Sequence, residues 1–251
     1  LANPIPREYY KPRGIKTISV PLDLSEEEMA LRRERAIEAL VRQGLLRRRE
    51  VIEAFRRVPR ELFLPEEVRE DAYVDAPLPI GYGQTTSALH MTAIFCECSG
   101  MDLGDEVLEV GAGCGYMSCV YAEIVAPTGA PREAWGHVWA AEIIKELAEY
   151  AKRNVERAGY ADRVTVVHAD ASGGLDDRKF DIIIVTSAAP EIPGPLIDQL
   201  KPNGVMLIPV GGLYFGQDLI KVVKGADGKI TKENLGGVAF VPMRGKYGWR
   251  S

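Results

Sequence analysis

The chain has 251 residues, 46% of them hydrophobic and 27% charged, with a formal net charge of -5. That length and balance fit one large soluble domain, or one domain with an extension, and exclude a disordered or fibrous class. The acidic charge argues against a general nucleic-acid binder, no apolar run reaches the roughly 18 residues of a membrane span, and no basic start leads into an apolar secretion segment, so a cytoplasmic location with neither nucleic acid nor membrane as partner is expected.

Residues 1–24 carry Pro4, Pro6, Pro12, Gly14 and Pro21 and read as an irregular arm. Ser25 suits a helix N-cap, and Glu26, Glu27 and Glu28 fall in the first turn, where the helix dipole favours negative charge. Ile37, Leu40, Val41 and Leu45 recur at helical spacing, and Gly44 ends the element. A second helix is predicted over 47–58, with Val51, Ile52 and Phe55 on one face and Pro59 closing it. Acid and base nearly balance through residue 71, so Arg47-Arg48-Arg49 reads as a solvated helix face. Between Tyr73 and His90, prolines and glycines alternate with polar residues and predict a long polar loop, a kind of segment that is often functional. A helix over 87–99 follows, with Ala88, Met91, Ile94 and Phe95 as its apolar side.

The rest alternates strand and helix. Strands are predicted at 106–110, 137–142, 164–169, 180–186, 205–210, 219–223 and 238–241, and helices at 116–124, 144–158 and 196–200. Four apolar strands separated by helices imply a mostly parallel sheet covered on both faces. The last two strands lack an intervening helix and should form an antiparallel hairpin, with Asp227-Gly228 in or near its turn. The expected fold is therefore α/β and doubly wound: a mostly parallel seven-stranded sheet with an antiparallel C-terminal hairpin and an N-terminal helical extension. Residues 1–24 form the arm, 25–100 a helical and substrate-loop region, and 101–251 a core that makes one structural unit with 25–100. Cys96, Cys98, Cys114 and Cys119 lie too close together for a secreted disulfide framework. Cys96 and Cys98 would sit about 200° apart on a helix, which does not suit zinc. Reduced, mostly buried thiols are expected, with a disulfide left open for a hyperthermophilic source.

The chemistry starts at Val107-Leu108-Glu109-Val110-Gly111-Ala112-Gly113-Cys114-Gly115-Tyr116, an apolar strand that stops at three glycines spaced by two. Glycine is needed where the backbone turns sharply and lets a ligand approach closely. A dinucleotide fingerprint would place its third glycine at 116, where Tyr116 stands. The spacing found here is similar to the cofactor loop of S-adenosylmethionine-dependent methyltransferases. Ligands of such sheets gather outside the carboxyl ends of the strands. There the second strand ends in Glu142, suited to ribose hydroxyls, and the third in Asp170, suited to an adenine amino group. The fourth runs into Thr186-Ser187-Ala188-Ala189-Pro190, a small-residue loop with room for a substrate. Each also has a plainer reading: a tight turn, an exposed strand-end acid for Glu142, a turn former for Asp170.

Further motifs are more specific. Val58-Pro59-Arg60-Glu61-Leu62-Phe63, the run Pro79-Ile80-Gly81-Tyr82-Gly83-Gln84-Thr85-Thr86-Ser87-Ala88-Leu89-His90-Met91, Ala188-Ala189-Pro190-Glu191-Ile192-Pro193 and Gly245-Lys246-Tyr247-Gly248-Trp249 resemble segments of protein-L-isoaspartate O-methyltransferases, over about residues 30–250. The resemblance implies a Rossmann-like methyltransferase fold. It implies methyl transfer from S-adenosylmethionine, with S-adenosylhomocysteine as product, to the free α-carboxyl of L-isoaspartyl residues in proteins and peptides, starting their repair through a succinimide. By position, Ser87 falls on the active-site serine, with Thr86 beside it in the catalytic set. Thr85, His90, Glu109, Gly111, Gly113, Gly115, Glu142, Asp170 and Ala171 fall to the cofactor, and Ile80, Ser87, Ala189 and Pro190 to the substrate. Leu89 stands where the family usually has proline, and Ala169 and Ala171 where glycines are common. Ser87 equally suits the N-cap of the helix that follows, and a lone helical histidine such as His90 is commonly structural. A methyltransferase of nucleic acid or of a small molecule shares the cofactor fold, although the loop after the fourth strand lacks the aromatic residue usual for nucleic-acid amino groups. A non-catalytic cofactor-binding protein is the other alternative. A monomer is expected.

Overall fold

Alternation along the central strands sets the architecture. Val107, Ile182 and Ile184 pack into one apolar cluster, whereas Leu108, Val110, Ile183 and Val185 pack into a second. Successive strand residues face opposite sides, so a strand that is apolar throughout demands cover on both faces. The computed structural model describes residues 25–213 and 216–249. The expected irregular arm over 1–24 lies outside the described residues.

Seven strands form one sheet in the order β5-β4-β3-β6-β7-β8-β9: β3 (Glu106–Val110), β4 (His137–Glu142), β5 (Val164–His168), β6 (Phe180–Val185), β7 (Leu200–Gly211), β8 (Gln217–Lys224) and β9 (Ile230–Val238). The first five pair in parallel, and β8 and β9 are antiparallel. The order reverses at β3, so the carboxyl ends of β3, β4 and β6 frame the crevice where such sheets bind ligands. Helices α4 (Tyr116–Val125) and α5 (Lys145–Arg157) follow β3 and β4, and a short α6 (Gly194–Asp198) precedes β7.

Ahead of the sheet, α1 (Glu26–Arg42) is capped as expected: the Ser25 hydroxyl accepts from Glu28 N at 3.2 Å. Helix α2 spans Arg49–Arg57 and buries Val51, Ala54 and Phe55. The arginine run is not a helix face. Arg47 and Arg48 precede α2, and their amides both donate to the Glu97 carboxylate at 2.8 and 2.9 Å. The segment expected to be a loop contains a two-stranded hairpin, β1 (Leu78–Gly81) and β2 (Gln84–Thr86), closed by Tyr82 and Gly83 at positive φ. Helix α3 spans Leu89–Ser99 with Ala88 as N-cap and no side-chain cap bond. Ser87 is therefore not the cap, and Asp75 supplies the acceptor instead, 2.9 Å from His90 N.

Two strand boundaries also move. The final strand is Ile230–Val238 rather than 238–241, because its partner β8 needs the charged stretch to complete the hairpin. Its turn lies at Asp227-Gly228 as expected, with Gly225 N bonded to Lys229 O. Strand β7 begins at Leu200, where a helix end was expected, and bulges: Leu200 and Val205 face Phe180 and Ile182 of β6, and Asn203 between them has φ 65°. The N-terminal region shares the core of the sheet. Tyr150 and Asn154 of α5 both donate to Phe63 O, at 3.0 and 3.3 Å.

Candidate functional site

Gly111 follows β3 with φ 104°, and a Cβ there would lie 2.3 Å from Thr186 Oγ1. The Thr186 hydroxyl donates to Gly111 O at 2.7 Å and lies within 3.1 Å of Val110 O, stitching the glycine turn to the end of β6. Gly113 N donates to Glu142 Oε2 and Ile144 N to Glu142 Oε1, both at 3.0 Å. Glu142 thus braces the turn against the end of β4. A carboxylate has about four lone-pair sites, so acceptor capacity is left for a ligand's hydroxyls.

Asp170 follows β5. It accepts from Ser172 N at 3.0 Å and from Lys246 N at 2.8 Å. Partial burial pushes its carboxyl up, but these hydrogen bonds outweigh burial and hold it below the ordinary carboxylate range. Gly111, Gly113, Glu142, Asp170, Ala171 and Ile80 line a narrow cleft of about 70 Å³, roofed by 241–244. Three residues expected beside them, Gly115, Glu109 and His90, lie elsewhere, His90 on the wider cleft described below. Gly115 is packed against α5, where an added Cβ would meet Ala151 O at 3.2 Å. Glu109 is fully buried beneath the turn, hydrogen-bonded by the Ser118 hydroxyl, with Oε1 unpartnered. Burial pushes its carboxyl up to about 8, opposed by the Ser118 bond and reinforced by the charge of Glu142.

A second, wider cleft of about 580 Å³ opens alongside. Ser87, His90 and Met91 form one wall, and Gln217, Asp218 and Phe240 the other. Thr85, Thr186 and Val241 line both clefts, which meet there. Strand alternation in β2 leaves Thr85 exposed and turns Thr86 inward, to 6% exposure. Thr86 is thus held away from the mouth, contrary to its expected place beside Ser87. The His90 Nδ1 atom lies 2.9 Å from Asp75 Oδ1, so this histidine is tied to a carboxylate.

The Ala188-Ala189 loop does not offer the expected room. Ala188 N donates to Val241 O and Met243 N to Ala188 O, both at 2.8 Å. Ala189 is fully buried and its amide donates to Pro209 O, while Pro190 is exposed outward. The space left by these small side chains is taken by the chain's own C-terminal segment. The place of residues 241–244 over the cleft and the role of Gln217 were missed from sequence, whereas Thr186 was read there only as part of the small-residue loop. Gln217 holds Phe240 at both backbone atoms, accepting from N at 2.7 Å and donating to O at 3.1 Å. Gly173, which a Cβ would push to 2.5 Å from the Tyr247 ring, was the available signal for a segment packing there.

The comparisons with known proteins agree with one another. A family model described as protein-L-isoaspartate(D-aspartate) O-methyltransferase matches residues 31–248. A protein-L-isoaspartate O-methyltransferase of Hyperthermus butylicus is 55% identical over 92% of this chain and 95% of its own. One of Pyrococcus horikoshii is 45% identical over 90% and 99%. Among solved structures, a protein-L-isoaspartate O-methyltransferase of Plasmodium falciparum in complex with S-adenosyl-L-homocysteine superposes with a TM-score of 0.73 at 26% identity, over 83% of this chain and 96% of that one.

Proposed function

Because the chain belongs to the protein-L-isoaspartate O-methyltransferase family, we propose that its narrow cleft holds S-adenosylmethionine and its wide cleft the peptide to be methylated. The enzyme transfers a methyl group to the free α-carboxyl of L-isoaspartyl residues in damaged proteins and peptides. Bound S-adenosylmethionine supplies the methyl on a positive sulfur, and S-adenosylhomocysteine is left. The methyl ester closes to a succinimide faster than the free acid, since methoxide is the better leaving group, and the succinimide can reopen to normal aspartate.

The chemistry of the residues present fits that cofactor, while the cleft, about 70 Å³ as it stands, must widen beneath its 241–244 roof to admit a ligand that ordinarily needs about 300 Å³ or more. The cradle at Gly111 and Gly113 is open only because both lack Cβ atoms: Thr186 and Ile80 would be met at 2.3 and 3.1 Å. Glu142 keeps lone pairs for two ribose hydroxyls, and Asp170 keeps acceptor capacity for an adenine amino group. At the mouth, the substrate carboxyl, with a pKa of about 4, is already ionised at pH 7, so no general base is required. Orientation dominates such a step. Ser87 and Thr85 donate to the carboxylate and orient it, and Ser87 is no nucleophile. The observation that carries this reading is the meeting of the two clefts at Thr85 and Thr186.

We further infer a cytoplasmic monomer in which 25–100 and 101–251 work as one unit and no nucleic acid takes part. The net charge of -5 and the hydrogen bonds from α5 to Phe63 support this. No helix among the described residues is long and apolar enough to cross a membrane. Transfer of a tritium-labelled methyl group to an isoaspartyl peptide, with the aspartyl isomer as control, tests the function. Label in both isomers, or in neither, would overturn it.

A further inference from the structure

Arg60 is the largest side chain sealed inside the described part of the protein, at 0% exposure. Its hydrogen-bond acceptors are all backbone carbonyls. Nη1 donates to Ala72 O at 2.9 Å and lies 3.4 Å from Val74 O, while Nη2 donates to Ser87 O at 2.8 Å and lies 3.5 Å from Ala76 O. Nε has no partner, and the guanidinium carbon stands 5.7 Å from the Tyr116 ring centroid. Taking a guanidinium out of water is costly, and an apolar side chain of similar volume commonly closes a core as well or better. A permanent charge at this depth therefore calls for a reason beyond packing.

The partners supply one. One end of the guanidinium grips the 72–76 stretch and the other grips the carbonyl of Ser87. The same stretch carries Asp75, which holds His90 N and His90 Nδ1 at 2.9 Å. Ser87 and the start of α3 are thereby clamped to one piece of backbone, by Arg60 from outside it and by Asp75 from within it. Carbonyl dipoles accept its hydrogen bonds and the nearby Asp75 carboxylate acts on it from the same stretch, so its charge is only partly offset. In low-dielectric surroundings that field reaches further than it would in water.

We propose that Arg60 is a positioning residue for methyl transfer: through Ser87 O it sets the Ser87 hydroxyl on the wall of the wide cleft, and its charge favours the substrate carboxylate arriving there. This rests on the reading of Ser87 as the group that receives that carboxylate. Geometry and charge then make separate contributions. Fixing Ser87 governs the rate within the complex, and the positive field governs capture of the peptide. A lysine keeps the charge but presents a compact ammonium on a flexible stem, which cannot reproduce the planar fork that spans both segments.

The test uses the full chain as Arg60→Met and Arg60→Lys, with rates referred to the folded fraction measured by circular dichroism. Calorimetry with S-adenosylhomocysteine reports cofactor affinity. Arg60→Met is expected to lower kcat/KM for an isoaspartyl peptide by about 100-fold, the scale of a small misplacement, with cofactor affinity kept within about twofold. Arg60→Lys is expected to restore KM for the peptide while kcat stays about tenfold low. A merely structural arginine would not split KM from kcat in this way. Wild-type kcat/KM in both folded variants overturns the proposal, as does a loss of cofactor affinity equal to the loss in rate. Failure of both variants to fold also overturns it, because Arg60 would then serve the fold before any step of the reaction. A wild-type enzyme inactive on the isoaspartyl peptide would sink the functional reading and this inference together, whereas an active wild type with unaffected variants sinks the inference alone.

Discussion

Three side chains carry distinct duties that single substitutions can separate. Ser87 has its carbonyl held by Arg60 and its place beside the wide cleft set by the turn from β2 into α3, not by a capping bond. Ser87→Ala should therefore leave the helix and cofactor affinity intact while lowering kcat by about 10- to 1000-fold, as for one orienting donor. Steady-state kinetics with cofactor calorimetry decide this, and full activity would remove Ser87 from the reaction. Glu142 spends one acceptor on Gly113 N and one on Ile144 N. Glu142→Gln turns an acceptor into a donor against one of them and loses the charge offered to the ribose, so cofactor binding should weaken by about 1.5–3 kcal/mol. Unchanged calorimetric affinity would exclude the ribose role. Glu109 is buried with its carboxyl raised from 4.5 to about 8. Between those values the folded protein binds more protons than the unfolded chain, so stability from this group is full at low pH and falls as pH rises towards 8. Glu109→Gln should flatten the decline in denaturation midpoint between pH 5 and 8 (a window set by the ordinary and raised values). An unaltered slope would show that Glu109 is not the titrating group.

Elements here are ended and started by partners distant in sequence. Helix α2 is entered through Glu97, and α3 through Asp75, so each N-terminus is satisfied from another segment. The bulge in β7 has a consequence for the protein's own ageing. Asn203-Gly204 and Asp227-Gly228 are the sequences most prone to succinimide formation, because glycine does not shield the attacking nitrogen. Gly204 is buried, and an added Cβ would come within 2.8 Å of Lys201 O. Gly228 N donates to Gly225 O at 2.9 Å, and the Asp227 carboxylate accepts from Lys229 N at 3.0 Å. The Gly228 nitrogen is thus held by a backbone carbonyl, and Gly204 is packed closely against neighbouring backbone. Heat ageing below the unfolding transition should leave both sites free of isoaspartate by peptide mapping, and ageing of unfolded chain should not. Isoaspartate at Asn203 in the folded protein would mean that the bulge opens.

At the scale of the molecule, the C-terminal segment closes what the sheet begins. It crosses the Ala188 loop, roofs the narrow cleft and ties down at Asp170 through Lys246 N, while the Trp249 indole donates to Ala188 O at 3.1 Å. The wide cleft beside it is a bounded groove, with walls from α3 on one side and from β8 and the chain beyond β9 on the other. An extended peptide can enter such a groove, but a rigid helix cannot bring its backbone to the mouth at Thr85. Isoaspartyl residues in flexible peptides should be methylated well, and the same residue locked inside a stable helix at least about tenfold more slowly, at the low end of the gain from correct orientation. Equal rates with both substrates would argue against a peptide groove.

Local chemistry was enough to predict the sheet. Apolar runs at 106–110, 137–142 and 180–186 have no alternative to burial on both faces, and the glycines at 111 and 113 mark a turn whatever surrounds it. Glu142 and Asp170 were legible for the same reason, since the parallel topology carries strand ends to one edge. What the sequence could not decide was which partner fills which space. Thr86 looks as available as Thr85 until the hairpin pairs β1 with β2 and turns one of them inward. Ala188 and Ala189 leave room, and only the folded chain determines that residues 241–243 occupy it. The burial of Arg60 and the remote caps at Asp75 and Glu97 depend on contacts between segments tens of residues apart. Periodicity reports a residue's own face but not what that face meets, so such contacts exist only once the tertiary structure is formed.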